Sequence, residues 1–224
     1  MVNRVVIFDV NETLLDIEAL APVFEEIYSD PASLREWFAQ LVLYSMTLTV
    51  SQQYVDFVTL GRAVAQMLAE IRGGTVTDAQ LDRLAEAMSH MPAHPYVADG
   101  LASLRAQGLR LVTLTNSPTS AERPSPLDNA GLGGHFERQF SVHPCRAFKP
   151  SPEVYMQVCR ELDVRPDECL MVAAHAWDTI GAQATGMRGA LITRPGNAAL
   201  RAADNLLPDV IATDLRDLAR QLSS

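Results

Sequence analysis

The chain has 224 residues, 48% hydrophobic and 20% charged, enough to bury one substantial core and to carry a smaller second lobe. A formal net charge of −9 argues against a broad nucleic-acid surface, while leaving room for a small anion held by one local basic residue. The three cysteines, Cys145, Cys159 and Cys169, are odd in number and match no metal knuckle or redox pair, which fits reduced thiols in a cytoplasmic protein.

The first apolar run, Val5–Phe8, is continuous and largely β-branched, the pattern of a strand covered on both faces in a parallel sheet. It is far too short for a signal core or a membrane span, so no membrane partner is expected. It runs into Asp9-Val10-Asn11-Glu12-Thr13, whose short polar side chains can bond to nearby backbone as in a turn. From about Ala19 to Met91 apolar residues recur at three- and four-residue intervals, predicting helices over 19–29, 34–47, 52–72 and 78–90. Thr77 with Gln80 predicts a capping box on the last of these. Trp37, Tyr44, Tyr54 and Phe57 belong to the apolar side of these helices, with Trp37 and Phe57 the candidates for a pocket wall.

The strand–helix rhythm then resumes. Helices are predicted over 98–107, near 121–130, near 152–162, from Asp178 to about Gly186, and at the C-terminal end. Strands are predicted at Leu109–Leu114, Phe140–Val142, Leu170–Ala173 and Gly189–Thr193. The expectation is an α/β fold: a doubly wound, Rossmann-like core from residues 1–17 and 96–224, with a helical cap domain, 18–95, inserted after the first strand.

The informative polar residues fall where strands end. Asp9 follows one strand, Thr115 and Asn116 follow a second, Lys149 lies in a loop, and Asp178 lies just beyond a third. In open α/β sheets such loops converge on the ligand crevice. Each residue has a simpler reading, with both aspartates as helix caps and Lys149 as a solvated surface lysine. Brought together, Asp9 would attack an electrophilic carbon or phosphorus, and Lys149 would hold it ionised. Thr13, Thr115 and Asn116 would donate hydrogen bonds, and Asp178 would orient the water or coordinate a divalent cation. His175 reads equally as a wall residue, a base or a structural group, and His90, His94 and His143 show no ligand spacing with it.

Four strings in order resemble the haloacid dehalogenase superfamily, in its L-2-haloacid dehalogenase-like (type II) branch. They are Val6–Asp16, Leu114-Thr115-Asn116-Ser117, Phe148–Tyr155 and Met171–Asp178. The resemblance implies that Asp9 displaces halide from C2 of a short 2-haloacid and becomes esterified. It implies Thr13 as support for Asp9, Thr115 and Asn116 as contacts to substrate carboxylate and halide, and Lys149 beside the nucleophile. Tyr155 would be an active-site tyrosine and Asp178 the residue positioning the water. It further implies no metal or other cofactor and a homodimer.

Three departures stand out. Phe38 occupies the place of the family's cap arginine, six residues before Tyr44, so Arg62 or another cap residue would have to replace it. Ala173 and His175 stand for a Ser and an Asn, and Asn11 for a common Tyr. Superfamily phosphatases usually place Asp at the position of Asn11 as acid/base, and halide needs no proton to leave, so dehalogenation is the leading expectation. The alternatives are a Mg-dependent phosphatase of a small phosphate ester, or a fold retained with little catalysis.

Overall fold

The computed structural model describes residues 4–120 and 122–223. β1 (Val5–Phe8) is fully buried, and each of its four side chains contributes on the order of 1.5–3 kcal/mol through that burial. It lies at the centre of a six-stranded parallel sheet with β2 (Arg110–Thr115), β3 (Arg138–Ser141), β4 (Cys169–Ala173), β5 (Arg188–Ile192) and β6 (Val210–Ala212). The order is β3-β2-β1-β4-β5-β6, with Phe8 level with Thr113 on one side and Val172 on the other. The chain winds outward in both directions from β1 and β4, so the switch point lies between these strands.

Parallel pairing throughout requires crossover connections between successive strands, which the helices supply. α5 (Val97–Ala106) packs against α9 (Leu215–Leu222), and α7 (Pro152–Leu162) packs against α8 (Ala176–Gln183). The short α6 (Pro126–Asn129) is all that forms of the helix expected near 121–130: Ser125 caps it and Pro126 opens it. Residue 121, where that expectation begins, lies outside the described residues. β6 was not anticipated; its three residues, Val210–Ala212, are apolar but too few to show a strand pattern.

Between β1 and α5 stand α1 (Ala21–Tyr28), α2 (Ser33–Val50), α3 (Phe57–Ile71) and α4 (Asp78–Ser89). The helix expected from residue 52 begins only at Phe57, because Asp56 is extended and its side chain accepts from the Val58 and Thr59 amides. Thr77 and Gln80 do form the capping box on α4, an interaction typically worth ~1 kcal/mol. Trp37 and Phe57 are not pocket walls. Trp37 is wholly buried against Phe24, and its indole donates to the Gly61 carbonyl at 2.9 Å. A Cβ on Gly61 would come within 3.2 Å of that indole, so the glycine does permit a close helix contact. Phe57 is buried against Phe148, whereas Tyr44 is exposed rather than part of this core.

The helical segment leaves and rejoins the sheet region through adjacent strands of chain. Leu15 and Ala93 form an antiparallel bridge, the Asp16 amide donates to the Pro92 carbonyl at 2.8 Å, and the His94 amide donates to the Leu14 carbonyl at 2.9 Å.

Candidate active site

Asp9 is the first residue beyond β1, and its backbone amide still donates to the Val172 carbonyl of β4. Its carboxylate receives one donor on each oxygen. Lys149 Nζ donates to Oδ1 at 2.7 Å, and Thr13 Oγ1 donates to Oδ2 at 2.7 Å. The Thr13 hydroxyl in turn accepts from the Ala174 amide at 2.9 Å, tying the turn that holds Asp9 to the end of β4. Leu14 and Leu15 donate back to the Val10 carbonyl, His94 reaches the Glu12 carbonyl, and Arg194 reaches the Thr13 carbonyl. The Asp9 carboxylate is therefore oriented while lone pairs on both oxygens remain for attack.

Lys149 is no surface lysine: it is completely buried, and so is Asp178. Its ammonium donates to Asp9, to Asp178 Oδ2 at 2.6 Å and to the Leu114 carbonyl at 3.0 Å, using all three protons. Burial alone would push its pKa down, but the charges of Asp178 and Asp9 outweigh that and hold it above the ordinary value. Burial raises the Asp178 carboxyl against the pull of Lys149. Tyr155 OH donates to Asp178 Oδ1 at 2.7 Å, and burial together with that carboxylate pushes the phenol well above its ordinary range. Gly181 makes this approach possible, since a Cβ there would lie 2.4 Å from Pro150 Cβ and 2.7 Å from the Tyr155 hydroxyl.

Asn116 at the end of β2 accepts from the Lys149 amide through Oδ1 at 3.1 Å, which leaves its NH2 group as the donor end. Thr115 accepts from the Ser117 amide, and with Asn11 it lines a cavity of about 750 Å³ bounded by α4 and the loop after β2. The strand ends thus bring Asp9, Thr13, Lys149, Asp178 and Tyr155 into one bonded network, with Asn116 attached through Lys149. Thr115 and Asn11 stand beside it.

A second cluster was not foreseen. Glu12, φ 65°, is a non-glycine residue in the left-handed region, and its side chain is buried. Such a conformation costs about 1–3 kcal/mol and persists only where the surroundings fix it. Arg35 of α2 donates to Glu12 Oε1 and also pairs with Glu18. His175 Nε2 stands 2.9 Å from Glu12 Oε2, off the line of an ideal hydrogen bond. Burial pushes the Glu12 carboxyl up, but His175 and Arg35 outweigh it and bring its pKa down to about 2. The His175 ring lies between Trp177, stacked at 5.4 Å, and Phe38, tilted at 5.4 Å. Arg62 does not fill the place of the missing arginine: it pairs with Asp82 at 2.6 Å. The arginine that reaches the catalytic turn is Arg35, one helical turn before Phe38 and on the same side of α2. The available signal was Glu12 itself, a carboxylate in the turn after β1 with no assigned partner.

The superfamily's phosphatases raise the question of a divalent cation. The Asp178 oxygens are both engaged, one by an ammonium and one by a phenol, and Asn11 supplies no charge at the position of the second phosphatase aspartate. Among the described residues no three His, Cys, Asp or Glu side chains are grouped to hold a metal. This donor set does not fit such an ion.

A buried lysine bridging a carboxylate just after β1 and one in α8, beneath a helical segment, defines a hydrolase site. The haloacid dehalogenase-like hydrolase family model matches residues 3–186, and the chain belongs to that family. Within it, the chain is 31% identical over 193 residues to (S)-2-haloacid dehalogenase 1 of Pseudomonas sp. (strain CBS-3), covering 85% of each. It is 29% identical over 202 residues to haloacetate dehalogenase H-2 of Moraxella sp. (strain B), covering 85% of this chain and 86% of that one. The structure of L-2-haloacid dehalogenase from Xanthobacter autotrophicus with chloropropionic acid covalently bound superposes with a TM-score of 0.87. That match has 25% identity and covers 100% of this chain and 99% of that one.

Proposed function

We propose that the protein is a hydrolytic dehalogenase of short 2-haloacids, working through an ester of Asp9. The observation that carries this reading is the Asp9 carboxylate, buried at the switch point and held by one donor on each oxygen. An Asp9 oxygen attacks C2 from the side opposite the halide, inverts that carbon and forms the ester as halide departs. Lys149 donates to Asp9 and holds it in place, and Asp178 balances the lysine's charge in the buried site. Thr13 fixes the carboxylate plane. The Asn116 NH2 and Thr115 contact the substrate carboxylate and departing halide, with Phe38, Asn11 and His175 completing the wall. The helical segment serves as the cap that excludes bulk water.

The experiment is halide release from a panel of 2-halocarboxylates, paired with a single turnover in ¹⁸O-water. The expected result is halide release together with one ¹⁸O incorporated into the Asp9 carboxylate. No halide release at high enzyme concentration sinks the proposal. Asp9→Asn is expected to lower release by about 10⁴-fold or more, the scale of losing a nucleophile.

The reading extends to a cytoplasmic homodimer. Supporting it are three free thiols, and Leu43 and Val50, seven residues apart on one exposed side of α2. No helix among the described residues is long and apolar enough to cross a membrane. Light scattering of the purified protein tests the dimer.

A further inference from the structure

The second half of the reaction needs a group that takes a proton from water. Lys149 is a buried ammonium with all three protons donated. Asp178 is completely buried, with one oxygen bonded to Lys149 and the other to Tyr155. The Thr13 hydroxyl donates its proton to Asp9 and accepts from Ala174. His175 differs from all of these, because its Nδ1 has no hydrogen-bonding partner among the described residues.

We infer that His175 is the general base that activates the water, held in its working tautomer by Glu12 and, through Glu12, by Arg35. The inference rests on the ester reading above. With Nε2 facing the Glu12 carboxylate, the ring carries its proton there, and the Nδ1 lone pair is the basic one. Trp177 and Phe38 fix the plane of the ring. Its place in the chain sets it beside the nucleophile: His175 follows Ala174, whose amide bonds Thr13, whose hydroxyl bonds Asp9 Oδ2. Glu12 keeps a strained backbone and a buried charge in this turn, and the displacement step uses neither.

The step balances. Nδ1 takes one proton as the water oxygen bonds to Cγ of the Asp9 ester. The tetrahedral adduct then breaks its bond between Cγ and the oxygen attached to C2. The departing alkoxide takes the proton back from the imidazolium, leaving a 2-hydroxy acid. The Asp9 carboxyl, now carrying one oxygen from water, loses its proton to solvent and re-pairs with Lys149. The imidazolium is matched by Glu12 from the catalytic turn. Arg35 on α2, beside Glu18, offsets part of that charge. Lys149 lies beyond the Trp177 ring at 5.8 Å, and Asp178 sits on the same helix as Trp177.

The test is rapid mixing of His175→Gln and Glu12→Gln with 2-chloropropionate, following halide and the mass of the Asp9-containing peptide. His175→Gln is expected to release about one halide per site in a burst, then accumulate the ester as its hydrolysis slows by about 10²-fold or more. Glu12→Gln is expected to slow the same step less, again with the halide burst kept. A slower halide burst with no ester accumulation in either variant overturns the inference and leaves the dehalogenase reading intact. Wild type that releases no halide removes both. If His175→Gln does not fold, Glu12→Gln decides, since a purely structural role would not divide halide release from ester hydrolysis.

Discussion

Two charged clusters flank the same five-residue turn, and they are built from different parts of the molecule. Asp9, Lys149, Asp178 and Tyr155 all come from the sheet region, from a strand end, a loop and the helices α7 and α8, and the lysine and Asp178 are fully buried. Glu12, Arg35 and His175 instead join the turn to α2 of the helical segment, and Arg35 and Glu18 reach solvent. The first cluster is a fixed point of the sheet. The second ties the helical segment to the turn that carries Asp9.

The largest effect should come from breaking the first cluster. Lys149→Met leaves the Asp9 and Asp178 carboxylates buried without their shared cation, and an unpaired buried charge costs about 3–5 kcal/mol. Urea unfolding should show this loss, and adding Asp178→Asn should recover part of it. An unchanged midpoint would mean that the two carboxylates are not held together by this lysine.

Breaking the second cluster should appear in acid. The Glu12 pKa falls from an ordinary 4.5 to about 2 in the folded protein, so the unfolded chain takes up that proton first. The stability Glu12 contributes is full above about 4.5 and is lost as pH falls toward 2. Glu12→Gln should flatten the thermal-stability profile across that window, and an identical acid slope in wild type and variant would contradict the pairing. Smallest is Arg62→Ala. Its partner Asp82 is 71% exposed, so the change should stay within about 0.5 kcal/mol and leave halide release unchanged. A large loss of activity would return Arg62 to the site.

Lys149 in its loop and Tyr155 inside α7 stood out through the family resemblance, whereas Asp9 was legible because it ends a run of buried apolar residues, and such runs locate strand ends. The sheet was legible for the same reason, with β6 the exception at the edge. Asp178 was legible as a site residue, but that its partners would be Lys149 and Tyr155 depended on how closely α8 approaches Pro150 over Gly181. Arg35 was not legible: it lies on a helix whose rotation about its axis depends on packing by Trp37, Phe24 and Gly61. Position counting led to Phe38, and the guanidinium that reaches the turn lies one helical turn earlier. Expecting a helix from residue 52 failed for a local reason, since apolar spacing gave no weight to Asp56 as a cap.

The bridge between Leu15 and Ala93 has a topological consequence. It brings together the two ends of a long stretch of helix, so the sheet meets that stretch as it would a short hairpin loop. Insertions, deletions or exchange of helices beyond that clasp therefore leave the spacing of β1 and α5 untouched. The helices α1–α4 can be rewritten without moving Asp9, provided that whatever replaces α2 still presents a cation to Glu12.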